Sequence, residues 1–204
     1  MIAIIDYGMG NLKSVWNALD SVAIKGVIVS DPAELAHYDR AILPGVGAFA
    51  KAMDNLNSTG FTEAIKVFVA QEKPFMGICL GMQLLAEKGF EFGERDGLGL
   101  IDGSVKIFDL PREYLVPHVG WNDIVHKRSH PCLQGVKKAV DFYFVHSFIV
   151  DTENDNVIAE CDYGRPFPAI VGKGSVIGCQ FHPEKSQAAG LDILENFSQW
   201  DGKC

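Results

Sequence analysis

No stretch of this chain approaches the roughly 20 consecutive apolar residues that a bilayer-spanning helix needs; its apolar runs, such as residues 1–5 and 74–80, are far shorter. Met1 leads straight into the strand-like Ile2-Ala3-Ile4-Ile5 with no charged segment and cleavage site before it, so no signal peptide is expected, and the expected location is the cytoplasm. Basic residues are in deficit, 18 against 26 acidic for a formal charge of −8, which argues against a broad cationic surface for nucleic acid. The five cysteines, Cys79, Cys132, Cys161, Cys179 and Cys204, form no Cys-x-x-Cys pair and no even-numbered framework, so neither disulfides nor a structural metal site is expected. Repeats, low-complexity tracts and linkers are also missing. With 48% hydrophobic residues, 204 residues suffice for one substantial core, and a single domain over 1–204 is expected.

What is present alternates. Short β-branched runs at 2–5, 27–29, 41–43 and 75–78 are separated by helical stretches at 12–19, 61–72 and 80–87, a pattern of parallel strands joined by crossover helices. After about residue 100 the strand-like pieces (104–108, 142–148, 157–161, 169–171 and 175–180) are closely punctuated by glycine, proline and aspartate, as in antiparallel additions to the same sheet. A final helix is expected over about 190–200, with Leu191, Ile193, Leu194 and Phe197 near helical spacing. The expected fold class is therefore α/β, with a mainly parallel central sheet.

Cys79 stands where the strand at 75–78 gives way to a helix, in the sequence Gly77-x-Cys79-x-Gly81. This is a nucleophile elbow with sulfur in place of the serine oxygen: small residues on either side let the chain turn sharply and expose the reactive side chain. Backbone N–H groups at a helix start favour a thiolate and can stabilise an oxyanion. Most cysteines in such proteins are simply buried apolar groups, and the paired glycines are what set Cys79 apart.

The matching base lies at the end of the strand-like 175–180 segment, in Phe181-His182-Pro183-Glu184. Residues two apart on an extended chain share a face, so Glu184 can hold His182 in one tautomer and stabilise the imidazolium formed on thiol deprotonation. An isolated His-x-Glu is more often a solvated turn; the elbow cysteine and the apolar strand leading to it favour a site at the sheet's carboxyl edge.

Residues 77–83 (Gly-Ile-Cys-Leu-Gly-Met-Gln) and 180–185 (Gln-Phe-His-Pro-Glu-Lys) resemble the two signature segments of class I glutamine amidotransferases. Segments 6–11, 43–47, 117–122 and 144–147 are similar, in order and over nearly the whole chain, to the glutaminase subunits of imidazole glycerol phosphate synthases. The resemblance implies a flavodoxin-like fold and a triad of Cys79, His182 and Glu184. It also implies an oxyanion hole from the backbone of Leu80 and of Val46-Gly47, and a substrate pocket touching Gly45, Gln83, His146 and Ser147. The valine between the two glycines of Gly45-Val46-Gly47 implies a peptide that turns before the hole is complete. Asn11, Trp121, Tyr143 and Lys185 match positions at the partner interface and ammonia gate, although by chemistry alone the two aromatics read as core. The partner implied is a (β/α)8-barrel cyclase in a heterodimer, which takes ammonia from glutamine in histidine biosynthesis and forms imidazole glycerol phosphate and aminoimidazole carboxamide ribotide.

Two other readings use the same residues. A glutaminase subunit could feed a different synthase, such as one amidating surface sugars, or a stand-alone cysteine hydrolase could use the same elbow without a partner. The glycines of Asp6-Tyr7-Gly8-Met9-Gly10 superficially resemble a dinucleotide fingerprint but fail at the third glycine, where Lys13 stands, and no Walker A motif occurs, so no cofactor is expected.

Overall fold

Ile2–Ile5 forms β1, and its alternation sorts the two faces of the sheet: Ile2 and Ile4 enter one apolar core, Ala3 and Ile5 the other. In the computed structural model, which describes residues 1–203, the chain continues through α1 (Leu12–Ser21), β2 (Gly26–Val29), β3 (Arg40–Gly45), α2 (Phe49–Thr59), α3 (Phe61–Ala70), β4 (Phe75–Cys79) and α4 (Leu80–Gln83). Then come β5 (Ala86–Gly89), β6 (Arg95–Asp96), β7 (Ile101–Ile107), β8 (His118–Asp123), β9 (Val125–His126), β10 (Asp141–His146) and β11 (Phe148–Asp151). The last elements are β12 (Val157–Asp162), β13 (Pro166–Lys173), β14 (Val176–Cys179) and α5 (Gln187–Gln199).

The central sheet has the order β2-β1-β3-β4-β14-β13-β12-β9, parallel from β2 through β14 and antiparallel beyond. Val15 and Leu19 of α1 and Ile193, Leu194 and Phe197 of α5 share a core with Ile4, Ile42, Met76 and Ile78 on one face. Phe49, Met53 and Leu56 of α2 and Phe61, Ile65 and Phe68 of α3 pack on Ile5, Leu43 and Phe75 on the other. Helices on both faces of a mainly parallel sheet make a three-layer, flavodoxin-like arrangement, the fold the resemblance implies.

Several elements differ from their sequence-based expectation. Helix α4 stops at Gln83, whereas residues 80–87 read as one helix. The Leu84 and Leu85 carbonyls are taken by the N–H groups of Leu98, Leu100 and Ile101, which draws the chain out of the helix and into β5 beside β7. The run 142–148 is two strands in two sheets, β10 on β8 and β11 on β7. β14 is parallel to β4 and belongs to the main sheet rather than to the antiparallel additions. α2 carries no cap signal that a sequence would show; Ala48 precedes it without a side-chain hydrogen bond, and left-handed Gly60 (φ 83°) ends it.

Glycine governs the strand ends that matter. A Cβ on Gly81 would lie 1.9 Å from the Leu43 carbonyl oxygen, and one on Gly77 would lie 2.5 Å from the Gly81 oxygen. The turn from β4 into α4 therefore lies flat on β3, and no side chain fits between them. Replacing Gly81 with alanine should cost about 3 kcal/mol or more, measured by urea unfolding; a variant as stable as its parent would show that this backbone contact is not needed.

Candidate active site

Three neighbouring strands deliver the site. The parallel register pairs Gly45 of β3 with Cys79 of β4, and Cys179 of β14 with Ile78, so Gly45, Cys79 and the residues after Cys179 meet at one edge of the sheet. Cys79 has φ 54° and ψ −112°, a conformation that costs a non-glycine residue on the order of 1–3 kcal/mol. The chain tolerates it because Gly77 and Gly81 allow the turn. The result is a sulfur at the strand tip, 7% of the residue being exposed.

His182 follows β14, and its Nδ1 lies 2.8 Å from Glu184 Oε1, with both side chains almost fully buried. The pair forms as the sequence suggests but by another route: residues 183–185 make a 3-10 turn rather than an extended segment, and the turn brings the carboxylate back to the ring. That turn is clamped on two sides. The Ser186 hydroxyl donates to the His182 carbonyl and accepts from Tyr143 N–H, while Gly190 of α5 packs so closely that a Cβ would sit 2.0 Å from the Pro183 oxygen.

Burial disfavours a charged His182, but hydrogen bonding to the Cys79 sulfur and then to Glu184 outweighs it and holds the pKa up to about 9. With Nδ1 committed to Glu184, Nε2 is the nitrogen left for the sulfur. Glu184 Oε2 has no hydrogen-bond partner among the described residues, so the carboxylate's charge is directed at the imidazole rather than shared with other donors.

A cavity of about 410 Å³ opens over Cys79 and His182, a size suited to a small polar metabolite. Val46, Gly47, Leu80, Gln83, His146, Ser147 and Lys185 are among the residues that line it. Gly47 is left-handed (φ 94°), and Val46 is 43% exposed at the mouth. Gly45 is packed beneath: a Cβ there would meet Gly81 N at 2.7 Å and the Tyr7 hydroxyl at 3.0 Å.

His146 is buried. Its Nδ1 lies 3.0 Å from the Phe148 carbonyl and its Nε2 lies 3.0 Å from His118 Nδ1. Burial pushes His146 down to about 3 and His118 down to about 4, so both rings are neutral at physiological pH.

The residues matched to a partner interface divide. Trp121, Tyr143 and Lys185 come together: the two rings are 5.8 Å apart, and the lysine ammonium sits 5.6 Å from the Tyr143 ring centre. Trp121 is 46% exposed and therefore not the core residue its chemistry suggests; β8 presents it together with the exposed Val119. Asn11 caps α1, its side-chain oxygen accepting from Ser14 N–H, and α1 packs against the 183–185 turn.

Three residues of the site are invisible to sequence reasoning. Glu91 lines the cavity, and its Oε2 accepts from Phe49 N–H at 2.7 Å; only the fold of the β5–β6 hairpin onto the start of α2 brings it there. Tyr7, two residues beyond β1, lies under the site with its hydroxyl buried and without a partner among the described residues. Burial, with Cys79 adding to it, raises that phenol well above its usual range. His118 pairs with His146 across β8 and β10, a register no short motif announces. No cluster of three or more metal-ligating side chains occurs among the described residues.

The family model described as glutamine amidotransferase class-I matches residues 3–199. Among curated relatives, imidazole glycerol phosphate synthase subunit HisH of Caldanaerobacter subterraneus subsp. tengcongensis is 49% identical over 200 residues, covering 98% of this chain and 98% of that one. The subunit of the same name from Sulfurimonas denitrificans is 50% identical over 205 residues, again covering 98% of each. Among solved structures, PurLQS from Thermotoga maritima superposes with a TM-score of 0.77 at 18% identity, covering 97% of each chain, a likeness of fold.

His182 is expected to titrate near pH 9 when followed by imidazole nitrogen NMR, and Glu184→Gln is expected to bring its midpoint down. A pKa raised in the folded state stabilises the fold fully below the unfolded value of about 6.5. That contribution is lost as pH rises through about 9, and the loss should be smaller in the variant; identical profiles would show that Glu184 does not hold the imidazole charged.

Proposed function

The chain belongs to the class I glutamine amidotransferases, and from that premise we propose that its cavity hydrolyses glutamine through Cys79, His182 and Glu184. It serves as the glutamine amidotransferase subunit of an imidazole glycerol phosphate synthase, in histidine biosynthesis. The observation that carries the triad is the geometry at one sheet edge: a strained elbow cysteine facing an imidazole that a buried carboxylate holds at 2.8 Å.

The Cys79 thiolate attacks the side-chain amide carbon of glutamine, and the carbonyl becomes an oxyanion. The backbone N–H of Leu80 and the Val46-Gly47 backbone are its donors. Helix α4 is too short for a sizeable macrodipole, so its contribution is the N–H groups themselves. As the C–N bond breaks, protonated His182 Nε2 gives its proton to the leaving nitrogen, and ammonia departs. Water then attacks the glutamyl thioester while Nε2 takes its proton, and the C–S bond breaks to give glutamate and the free thiolate. Glu184 keeps Nδ1 occupied throughout.

Substrate recognition follows from which groups remain uncommitted. The Gln83 side-chain N–H groups are spent on the Phe148 carbonyl and Gln180 Oε1, both at 3.0 Å, so what Gln83 offers a ligand is its oxygen. Glu91 supplies a carboxylate at the cavity wall, matched to the α-ammonium of an amino acid. His146 is neutral and Ser147 lies beside it, completing a polar end.

The partner is a cyclase subunit. We take it to be a (β/α)8 barrel that docks as a heterodimer over Trp121, Tyr143, Lys185 and Asn11 and receives the ammonia internally, since free ammonia is protonated in water and loses its lone pair. The Val46 peptide completes the oxyanion hole when the partner is engaged. The chain is read as one glutaminase domain over 1–204, working in the cytoplasm. No helix of the described residues is long and apolar enough to cross a membrane.

Glutamate release by the purified chain is expected to be slow alone, to rise many-fold with the cyclase and its nucleotide ligand, and to vanish in Cys79→Ala. Full activity without a partner would favour the stand-alone hydrolase instead. In the activated complex, Glu91→Gln should raise KM for glutamine about tenfold or more with little change in kcat, the loss of one charge-assisted contact; an unchanged KM would remove Glu91 from the substrate site.

A further inference from the structure

We propose that Gln180 is a catalytic residue whose side-chain N–H is directed at the Cys79 sulfur, stabilising the thiolate both as it attacks and as it is expelled from the thioester. This goes beyond the triad and rests on Cys79 being the nucleophile. Gln180 is wholly buried and directly follows β14 beside the elbow, because Cys179 pairs with Ile78 and the next residues along the two chains are Gln180 and Cys79. Its Nε2 lies 3.9 Å from Cys79 Sγ.

An amide can be turned over, so the Gln180 N–H faces sulfur only if its neighbours fix its orientation. The anchor is the Phe148 carbonyl oxygen, which can only accept. It lies 3.0 Å from Gln83 Nε2 and 3.0 Å from His146 Nδ1. Turning Gln83 over would set its oxygen against that carbonyl, so its nitrogen must face Phe148, and the same nitrogen donates to Gln180 Oε1 at 3.0 Å. Turning Gln180 over would then oppose two NH2 groups. Gln180 is left with one orientation, oxygen toward Gln83 and N–H toward sulfur.

The far end of the row is ordered by the same logic. His146 must donate from Nδ1 to Phe148, and being neutral it accepts at Nε2, so His118 donates from its Nδ1. His118 is held in place by stacking on Tyr163, with ring centres 4.0 Å apart. The row from His118 through His146, Phe148, Gln83 and Gln180 has every donor direction set, and it terminates on the nucleophile.

The other titratable groups that sense Cys79 are Tyr7 just beyond β1, Cys179 on β14 and His182. Burial keeps Tyr7 and Cys179 protonated, so only His182 brings a counter-charge. An uncharged, fixed N–H adds stabilisation that does not depend on the imidazole's proton. This matters at the second step: when the C–S bond of the tetrahedral adduct breaks and the electron pair returns to sulfur, the N–H is already in place.

The test is the pH profile of Cys79 alkylation by iodoacetamide, read by peptide mapping on the full chain, so that it is independent of glutamine turnover. Gln180→Met, apolar and similar in length, is expected to move the profile about one pH unit toward alkaline and slow alkylation at pH 7 about tenfold, the worth of one hydrogen bond to a charged group. Gln180→Glu, which sets an oxygen where the N–H was, should shift it at least as far. In the unaltered protein the Gln180 side-chain N–H resonances should move as Cys79 ionises, and this measurement stands even if a variant does not fold. Folded variants with the parental profile, or resonances that stay fixed, would overturn the proposal while leaving Cys79 as nucleophile; glutaminase activity surviving in Cys79→Ala would instead remove the reading on which it rests.

Discussion

Backbone lies directly on backbone at the tip of β4, and the rest of the site depends on that contact. Gly81 sits against the Leu43 carbonyl, Gly77 against the Gly81 carbonyl, and Gly45 against the start of α4. Because no side chain intervenes, β3 and the elbow are locked together, and Cys79 is held in a backbone conformation it would not adopt alone. The backbone proposed to supply the oxyanion donors is positioned by the same contacts, since Leu80 follows the cysteine and Val46-Gly47 follows Gly45. One packing constraint thus sets both the proposed nucleophile and the place where negative charge would develop.

Around the elbow the protein separates groups that carry charge from groups that do not. His182 is raised by its neighbours, while His118 and His146 are lowered by burial that no carboxylate offsets. Three histidines of one intrinsic chemistry are divided by partner alone. The neutral pair lies against the Phe148 carbonyl that orients the amides, and the charged one is the proposed proton carrier. The turn bearing Glu184 is rigid for a related reason: Ser186 and Gly190 tie it to β10 and α5, so the carboxylate stays beside the imidazole rather than relaxing toward water.

The parts of this arrangement legible in the sequence are those set by local rules. Alternating apolar runs give the parallel half of the sheet, the glycine spacing gives the elbow, and His182 with Glu184 can be read as a pair. What is not legible depends on long-range register. The short α4 cannot be foreseen from residues 80–87, because the carbonyls that end it are claimed by residues 98–101. Residues 142–148 read as one strand since nothing local marks the change of sheet at Ser147. Glu91 and His118 enter the site only through tertiary pairing, and Trp121 reads as core until the fold turns it outward. The resemblance to known amidotransferases supplies some of these positions without their physical cause, which the strand register then provides.

A glutamine analogue reads whether the Cys79 sulfur forms the covalent bond to glutamine. In the complex with the cyclase, 6-diazo-5-oxo-norleucine should alkylate one sulfur with loss of dinitrogen, and peptide mass mapping should place the whole adduct on Cys79, in step with loss of glutamate release. Inactivation with the adduct on Cys132, Cys161 or Cys179, or turnover that persists once Cys79 is fully labelled, would show that Cys79 is not the nucleophile.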